Sequence, residues 1–222
     1  MMVRAYHKDD RTGRPHKREL DRMPKLADHD LRREQITSAA RRVVARGGLG
    51  AATFQSVAAE AGISVRLVQY YFGTKRKVLL ATHQAVVADA GTRFTRRLSA
   101  LGADPAPRDV IRAILTELLP TDADRRQDMI VLNSFHAAAL TSSDISAEDT
   151  LGAPQFLVRT IAEQLGRVRG DAAPLAGLDS ELDSELIVAA TSGLAQTLLV
   201  DDTAGQRADE LLDRLLDRMI EV

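Results

Sequence analysis

Apolar residues recur at three- and four-residue intervals along most of this chain and never alternate with polar ones over a strand-length run, so the pattern predicts an all-α protein of about nine or ten helices. Between about Asp30 and Arg46, Leu31, Ile36, Ala39, Ala40, Val43 and Val44 form one stripe, and Gly47-Gly48 ends it. Two short helices follow. Thr53 stands where an N-cap accepts a backbone N–H, Gly62 where a left-handed residue closes a helix, and Ser64 where the next helix is capped. Only Gly62 and Ile63 separate the two, a turn short enough to force a steep crossing, with Val57, Ala58, Ala61, Ile63 and Val68 available to pack it. A longer helix over about Lys75–Leu98 carries Val78, Leu79, Val86 and Phe94 at helical spacing. Beyond the break at Gly102, Pro105 and Pro107, helices are expected over Arg108–Leu119, Asp122–Leu140 and Pro154–Val168, with Thr141–Gly152 a loose stretch. A loop at 170–178 leads to two last helices, about Ser180–Leu199 and Thr203–Ile220. The final one sets Ala208, Leu211, Leu212, Leu215 and Leu216 against a largely charged opposite face. No internal repeat is present in the sequence.

Composition narrows the class. With 222 residues and 45% hydrophobic content the chain can bury a sizeable core, which excludes wholesale disorder. It has no cysteine, so disulfides and thiolate metal sites are excluded, and a reducing cytoplasm fits. No apolar run approaches the roughly 18 residues of a membrane span, and the first residues lack a signal-peptide core. The expectation is a cytoplasmic protein with no membrane partner. The net charge of −1 hides a division: residues 1–80 hold 17 basic against 8 acidic residues, and residues 81–222 hold 13 against 23. All five lysines precede residue 78, which gives the first part the basic surface of a nucleic-acid reader. Residues 1–27 carry four more basic than acidic residues and show no helical period. They read either as a flexible basic arm able to follow a DNA backbone, or as a segment preceding a true start at Met23.

The paired short helices are built to touch DNA. The second exposes Val65, Arg66, Gln69 and Tyr70. Arg66, Gln69 and Tyr70 are the candidates for base readout, with Gln55 reaching from the first helix: arginine takes guanine bidentately and glutamine takes adenine, while Val65 and Leu67 can press on thymine methyls. Thr53 and Ser64 lie at helix N-termini, where free N–H groups and the helix dipole favour a phosphate oxygen.

These residues resemble the TetR-type transcriptional repressors. The resemblance is close from Arg32 to about Ala81: Ile36 with Ala39-Ala40, the Gly47-Gly48 break, Ala52-Thr53-Phe54, Val57-Ala58, Glu60-Ala61-Gly62-Ile63-Ser64, and Tyr70-Tyr71-Phe72 before Lys75. It implies a three-helix DNA-binding domain over 28–80, with Tyr71, Thr74 and Lys75 touching the DNA backbone, and a larger helical ligand-binding and dimerisation domain over 81–222. The family commonly has a small residue where Arg66 stands and tyrosine where Gln69 stands, so the operator sequence read here is expected to differ. The acidic, Leu-rich C-terminal part resembles the subgroup that includes choline-sensing repressors.

One helix-turn-helix reads only a half-site, so a homodimer on double-stranded DNA is expected. In the family the last helices pair as a four-helix bundle, which makes Leu186, Ile187, Leu194, Leu198, Leu212 and Leu216 candidate interface residues. The family also implies a small-molecule effector held among the middle helices. Candidate liners are Phe94, Met129, Leu132, Phe135 and Phe156, with Asn133, His136, Gln164, Thr191 and Gln196 as polar anchors. Residues 81–222 contain only three Phe, Tyr or Trp residues, all Phe, too few for the aromatic cage that usually binds a quaternary ammonium group. The effector is therefore expected to be mainly apolar rather than choline-like. An enzyme is not indicated: HExxH, GxSxG and P-loop motifs are missing from the sequence, and the five histidines show no metal-ligand spacing. Neither metal nor cofactor is implied. An activator, or a DNA-binding protein without an effector, stays open beside the repressor.

Overall fold

The computed structural model describes residues 23–141, 145–170, 179–201 and 207–220. Among these residues it contains nine α-helices and no strand: α1 Met23–Ala51, α2 Phe54–Ala61, α3 Val65–Phe72, α4 Lys75–Ala100, α5 Pro107–Glu117, α6 Ala123–Thr141, α7 Glu148–Arg169, α8 Ser180–Val200 and α9 Ala208–Ile220. Most of the expected arm, most of the loop at 170–178, and Thr203, the expected start of the last helix, lie outside the described residues.

The first helix begins about two turns before the expected Asp30. Pro24 suits a first helical turn, and no breaker stands between it and Asp30. The expected stop at Gly47-Gly48 is a kink: Gly48 holds φ 70° and ψ −177°, a conformation that essentially only glycine adopts, inside the α1 span. The described residues up to Gln35 form a unit of their own, in which Arg32 Nη1 donates to Gln35 Oε1 at 2.6 Å.

The unit from Ile36 onward holds two hydrophobic cores. The first joins Ile36, Ala39, Ala40, Val43 and Val44 of α1 to Val57 and Ala58 of α2, Val68 and Phe72 of α3, and Val78, Leu79 and Val86 of α4. These helices do not close it alone. Val131 and Phe135 of α6, and Ile145 just ahead of α7, are buried in the same cluster. The Phe135 ring meets the buried His83 of α4 edge-on, with centroids 4.9 Å apart. Burial, aided by the charge of nearby His136 and opposed by Asp149, holds the His83 pKa below its ordinary value. The second core gathers Val110, Ile111, Ile114 and Leu115 of α5, Ile161 and Leu165 of α7, Ile187, Ala195 and Leu198 of α8, and Leu212 and Leu216 of α9.

Helix α7 starts at Glu148, ahead of the expected Pro154, which lies inside it. Buried Ile145 anchors the approach, and Asp149 in the first turn accepts both the Ser146 N–H and the Ser146 hydroxyl at 2.9 Å. These fix a helix start upstream, and Pro154 lies in the second turn, where the helix forgoes one backbone hydrogen bond and takes the ring beside the Thr150 carbonyl.

A layer of ion pairs ties α1, α4, α5 and α6 together. Arg41 donates to Asp89 at 3.0 Å and pairs with Asp128. Arg93 donates to Asp128 at 3.0 Å and to Glu117 at 3.1 Å, and Arg97 donates to Glu117 at 3.0 Å. Burial of Asp128 pushes its pKa up against the pull of Arg41 and Arg93.

Truncating Phe135 to alanine removes a fully enclosed ring from the first core. Phe135→Ala should lower the unfolding free energy by about 3–5 kcal/mol in a urea titration. A loss below about 1 kcal/mol would show that the ring is not enclosed.

Candidate DNA-reading surface

Hydroxyl caps start each of the three helices on this surface. Thr53 Oγ1 accepts from Ser56 N–H at 3.1 Å while Ser56 Oγ accepts from Thr53 N–H at 2.9 Å, a complete capping box on α2. Gly62 takes the left-handed conformation at φ 66°, ψ 33°, and Ile63 N–H then reaches back to Ala58 C=O at 3.0 Å. Ser64 Oγ accepts from Leu67 N–H at 3.2 Å to start α3, and Thr74 Oγ1 accepts from Lys77 N–H at 3.2 Å to start α4. Each cap satisfies one donor and leaves others in the first turn directed along the helix axis, the arrangement that attracts a phosphate oxygen.

Helix α3 divides its faces cleanly. Val68 and Phe72 are buried, whereas Arg66, Gln69 and Tyr70 are exposed, Tyr70 at 77%. Gln55 of α2 is exposed as well. Val65 and Tyr71 sit partly buried against the first core, and Leu67 is half-buried, so these three offer only part of their surface to DNA. The Tyr71 ring stands edge-on to that of Tyr70, with centroids 5.3 Å apart.

An ion pair fastens the reader to its support. Arg42 Nε donates to Glu60 at 2.5 Å, and Arg46 pairs with the other Glu60 oxygen, so α1 holds the C-terminal end of α2 through one carboxylate. The Arg46 and Arg42 hydrogen bonds hold the Glu60 pKa below its ordinary value of 4.5. Glu60 was legible in the sequence as part of a motif but not as this clamp.

The expected effector residues do not line one cavity. Phe135 and Leu132 belong to the first core, while Phe94 and Met129 pack against the second. Phe156 is 55% exposed and His136 is exposed. Thr191 is buried and donates to Ile187 C=O at 2.8 Å, Gln164 accepts from Arg167 at 2.9 Å, and the Asn133 and Gln196 amides exchange hydrogen bonds of 3.2 and 2.7 Å. The hollow of about 810 Å³ between α7 and α8, lined by Pro154, Val158, Ala162 and Glu185 among others, contains none of the ten. The expected dimer residues need a similar correction. Ile187, Leu198, Leu212 and Leu216 are buried in the chain's own second core, and Leu194 packs against it. Leu186 alone of the six is exposed, at 55%. Helical spacing identifies an apolar stripe but not the neighbour that covers it. Helix α8 has a second face opposite the buried one, where Leu182, Leu186, Ala189, Gly193 and Val200 are exposed.

This combination of two capped short helices, an αL glycine turn and an exposed Arg-Gln-Tyr face defines a helix-turn-helix DNA-binding regulator. Residues 36–82 match the model of bacterial regulatory proteins of the tetR family, and residues 107–221, half of the chain, match that of the BetI-type transcriptional repressor C-terminal domain. The chain belongs to the TetR family of transcriptional regulators, with a BetI-type C-terminal domain. It is 28% identical over 182 residues to the HTH-type transcriptional regulator PksA of Bacillus subtilis, covering 81% of this chain and 84% of that one. It is 41% identical over 93 residues to the regulator BetI of Burkholderia mallei, a match that spans 42% of this chain and 47% of the relative. The crystal structure of a transcriptional regulator from Rhodococcus sp. Rha1 aligns with TM-score 0.69 and 25% identity, over 85% of this chain and 94% of that one. These relatives are regulators, not enzymes. Among the described residues no helix is long and apolar enough to cross a membrane.

Because the Glu60 pKa is lowered in the fold, its clamp contributes stability above about pH 4.5 and loses it as pH falls through the depressed value. Glu60→Gln should melt below the parent protein at pH 7, with the gap closing as the pH is taken toward 3; a gap that persists in acid would assign the loss to packing instead.

Proposed function

We propose that this protein is a cytoplasmic, homodimeric repressor that holds a palindromic operator and is released from it by a small, mainly apolar effector. The observation that carries the reading is the exposed Arg66, Gln69 and Tyr70 face on a helix whose opposite residues, Val68 and Phe72, are locked in the core. A rigid helix with free polar side chains reads base edges, and the capped N-termini beside it take phosphates. Thr53, Ser64, Thr74, Tyr71 and Lys75 serve the backbone; Gln55, Arg66, Gln69 and Tyr70 serve the bases, with Val65 and Leu67 at thymine methyls.

Dimerisation is supported by the face of α8 that is exposed among the described residues. Leu182, Leu186, Ala189, Gly193 and Val200 recur at helical spacing on it, and the small residues at its middle allow close approach of a second helix. An apolar effector is supported by the aromatic positions. Of the three C-terminal phenylalanines, Phe135 is core, Phe156 is exposed and Phe94 packs against the second core, an arrangement that does not assemble a cage for a quaternary ammonium group. Control by the effector requires that it bind more tightly to the conformation that does not fit DNA.

Fluorescence anisotropy on the DNA upstream of the coding sequence, against a shuffled duplex, tests the reading. Arg66→Ala should cost about 1–3 kcal/mol on the native fragment and erase the preference, whereas Lys75→Ala should weaken both duplexes alike. Equal losses on both duplexes in both variants would reject it. Leu186→Glu should convert a dimer to a monomer in sedimentation at micromolar concentration, and an unchanged dimer would move the interface elsewhere.

A further inference from the structure

The first turn of α4 places three cations in succession, Lys75, Arg76 and Lys77, directly after the reading helix. Arg76 is held by the C-terminal helices. Its Nη2 donates to both carboxylate oxygens of Asp149, at 3.0 and 2.7 Å. Asp149 itself is fixed in place: it accepts the Ser146 N–H and hydroxyl at 2.9 Å each, and Ile145 beside it is 2% exposed in the core beneath the reader. The Asp149 side chain is 18% exposed and that of Arg76 is 49% exposed, so the acceptor is the more shielded partner and the guanidinium is open to solvent. A guanidinium offers the same fork of donors to a carboxylate and to a phosphate, and one occupant excludes the other.

We propose that Asp149 is an electrostatic latch through which the C-terminal helices withhold Arg76 from the DNA backbone, so that breaking the Asp149 pair lets Arg76 add a phosphate contact to the DNA interface. The latch rests on the DNA-reading function described above. It gives α7 a direct grip on the reader's charge, independent of any change in the orientation of α3. Lys75 supplies a phosphate contact whether the latch is open or closed, and Arg76 supplies one only when it is open.

The test is a double-mutant cycle on DNA affinity. A labelled random-sequence duplex is titrated by anisotropy at salt concentrations between about 50 and 200 mM, with the full chain carrying Asp149→Asn, Arg76→Ala or both. Asp149→Asn should bind roughly three- to tenfold more tightly at the lower salt, and its plot of log affinity against log salt should steepen by about 0.9, the increment for one phosphate. Adding Arg76→Ala should abolish both gains. Asp149→Ser, which keeps an oxygen for the Ser146 N–H, serves beside Asp149→Asn, and circular dichroism verifies the helix content of each. Unchanged affinity in either folded Asp149 variant would overturn the latch. So would a gain that survives Arg76→Ala, because it would come from removing a negative charge rather than from a new contact by Arg76. Absence of salt-dependent binding in every variant, the parent included, would overturn the DNA-reading function and the latch with it.

Discussion

An eight-residue helix has too few internal hydrogen bonds to persist in water, and α2 and α3 are each that length. Their order must come from burial. The core they share with α1 and α4 is completed by Val131, Phe135 and Ile145, which arrive from much further along the chain. The reading helix therefore stands on side chains contributed by the C-terminal helices. A shift of α6 or of the segment before α7 cannot leave that support untouched, because a close-packed core rearranges rather than stretches. Ile145 and Asp149 act at one place in two ways, one by filling the core and one by gripping a surface cation.

Beside the apolar contact lies a polar one of different character. Asp128 and Glu117 each receive more than one arginine, and the pairs link α1 to α4, α5 and α6. Buried ion pairs of this kind contribute little net stability, since desolvation offsets much of their attraction. The raised pKa of Asp128 expresses that cost. Their value lies in direction: an apolar surface tolerates sliding, whereas a carboxylate set between two guanidinium groups accepts few relative positions of the helices that carry them.

The two capped short helices were legible in the sequence because they are governed locally. Thr53, Gly62 and Ser64 each have a chemical reason to occupy their positions that needs no knowledge of the rest of the chain, and the structure shows all three in those roles. The partition of the C-terminal helices was not legible. Spacing places Ile187, Leu198, Leu212 and Leu216 on apolar stripes, but an apolar stripe is the same whether its own chain or a second chain covers it. Phe135 was misplaced for the same reason: it lies on a helix of the C-terminal half, yet its ring completes the core of the N-terminal one. Pro154 suggests a helix start, although α7 already begins at Glu148, where Asp149 accepts the Ser146 N–H.

The separation of faces on α3 bears on how such regulators diverge. Val68 and Phe72 fix the helix from its buried side, while Arg66, Gln69 and Tyr70 are exposed on the other. Substitutions at exposed helix positions usually alter stability by less than about 0.5 kcal/mol. The exposed face of this helix can thus be rewritten one residue at a time without putting the fold at risk, and after gene duplication two copies can come to differ there while sharing every residue that makes them fold.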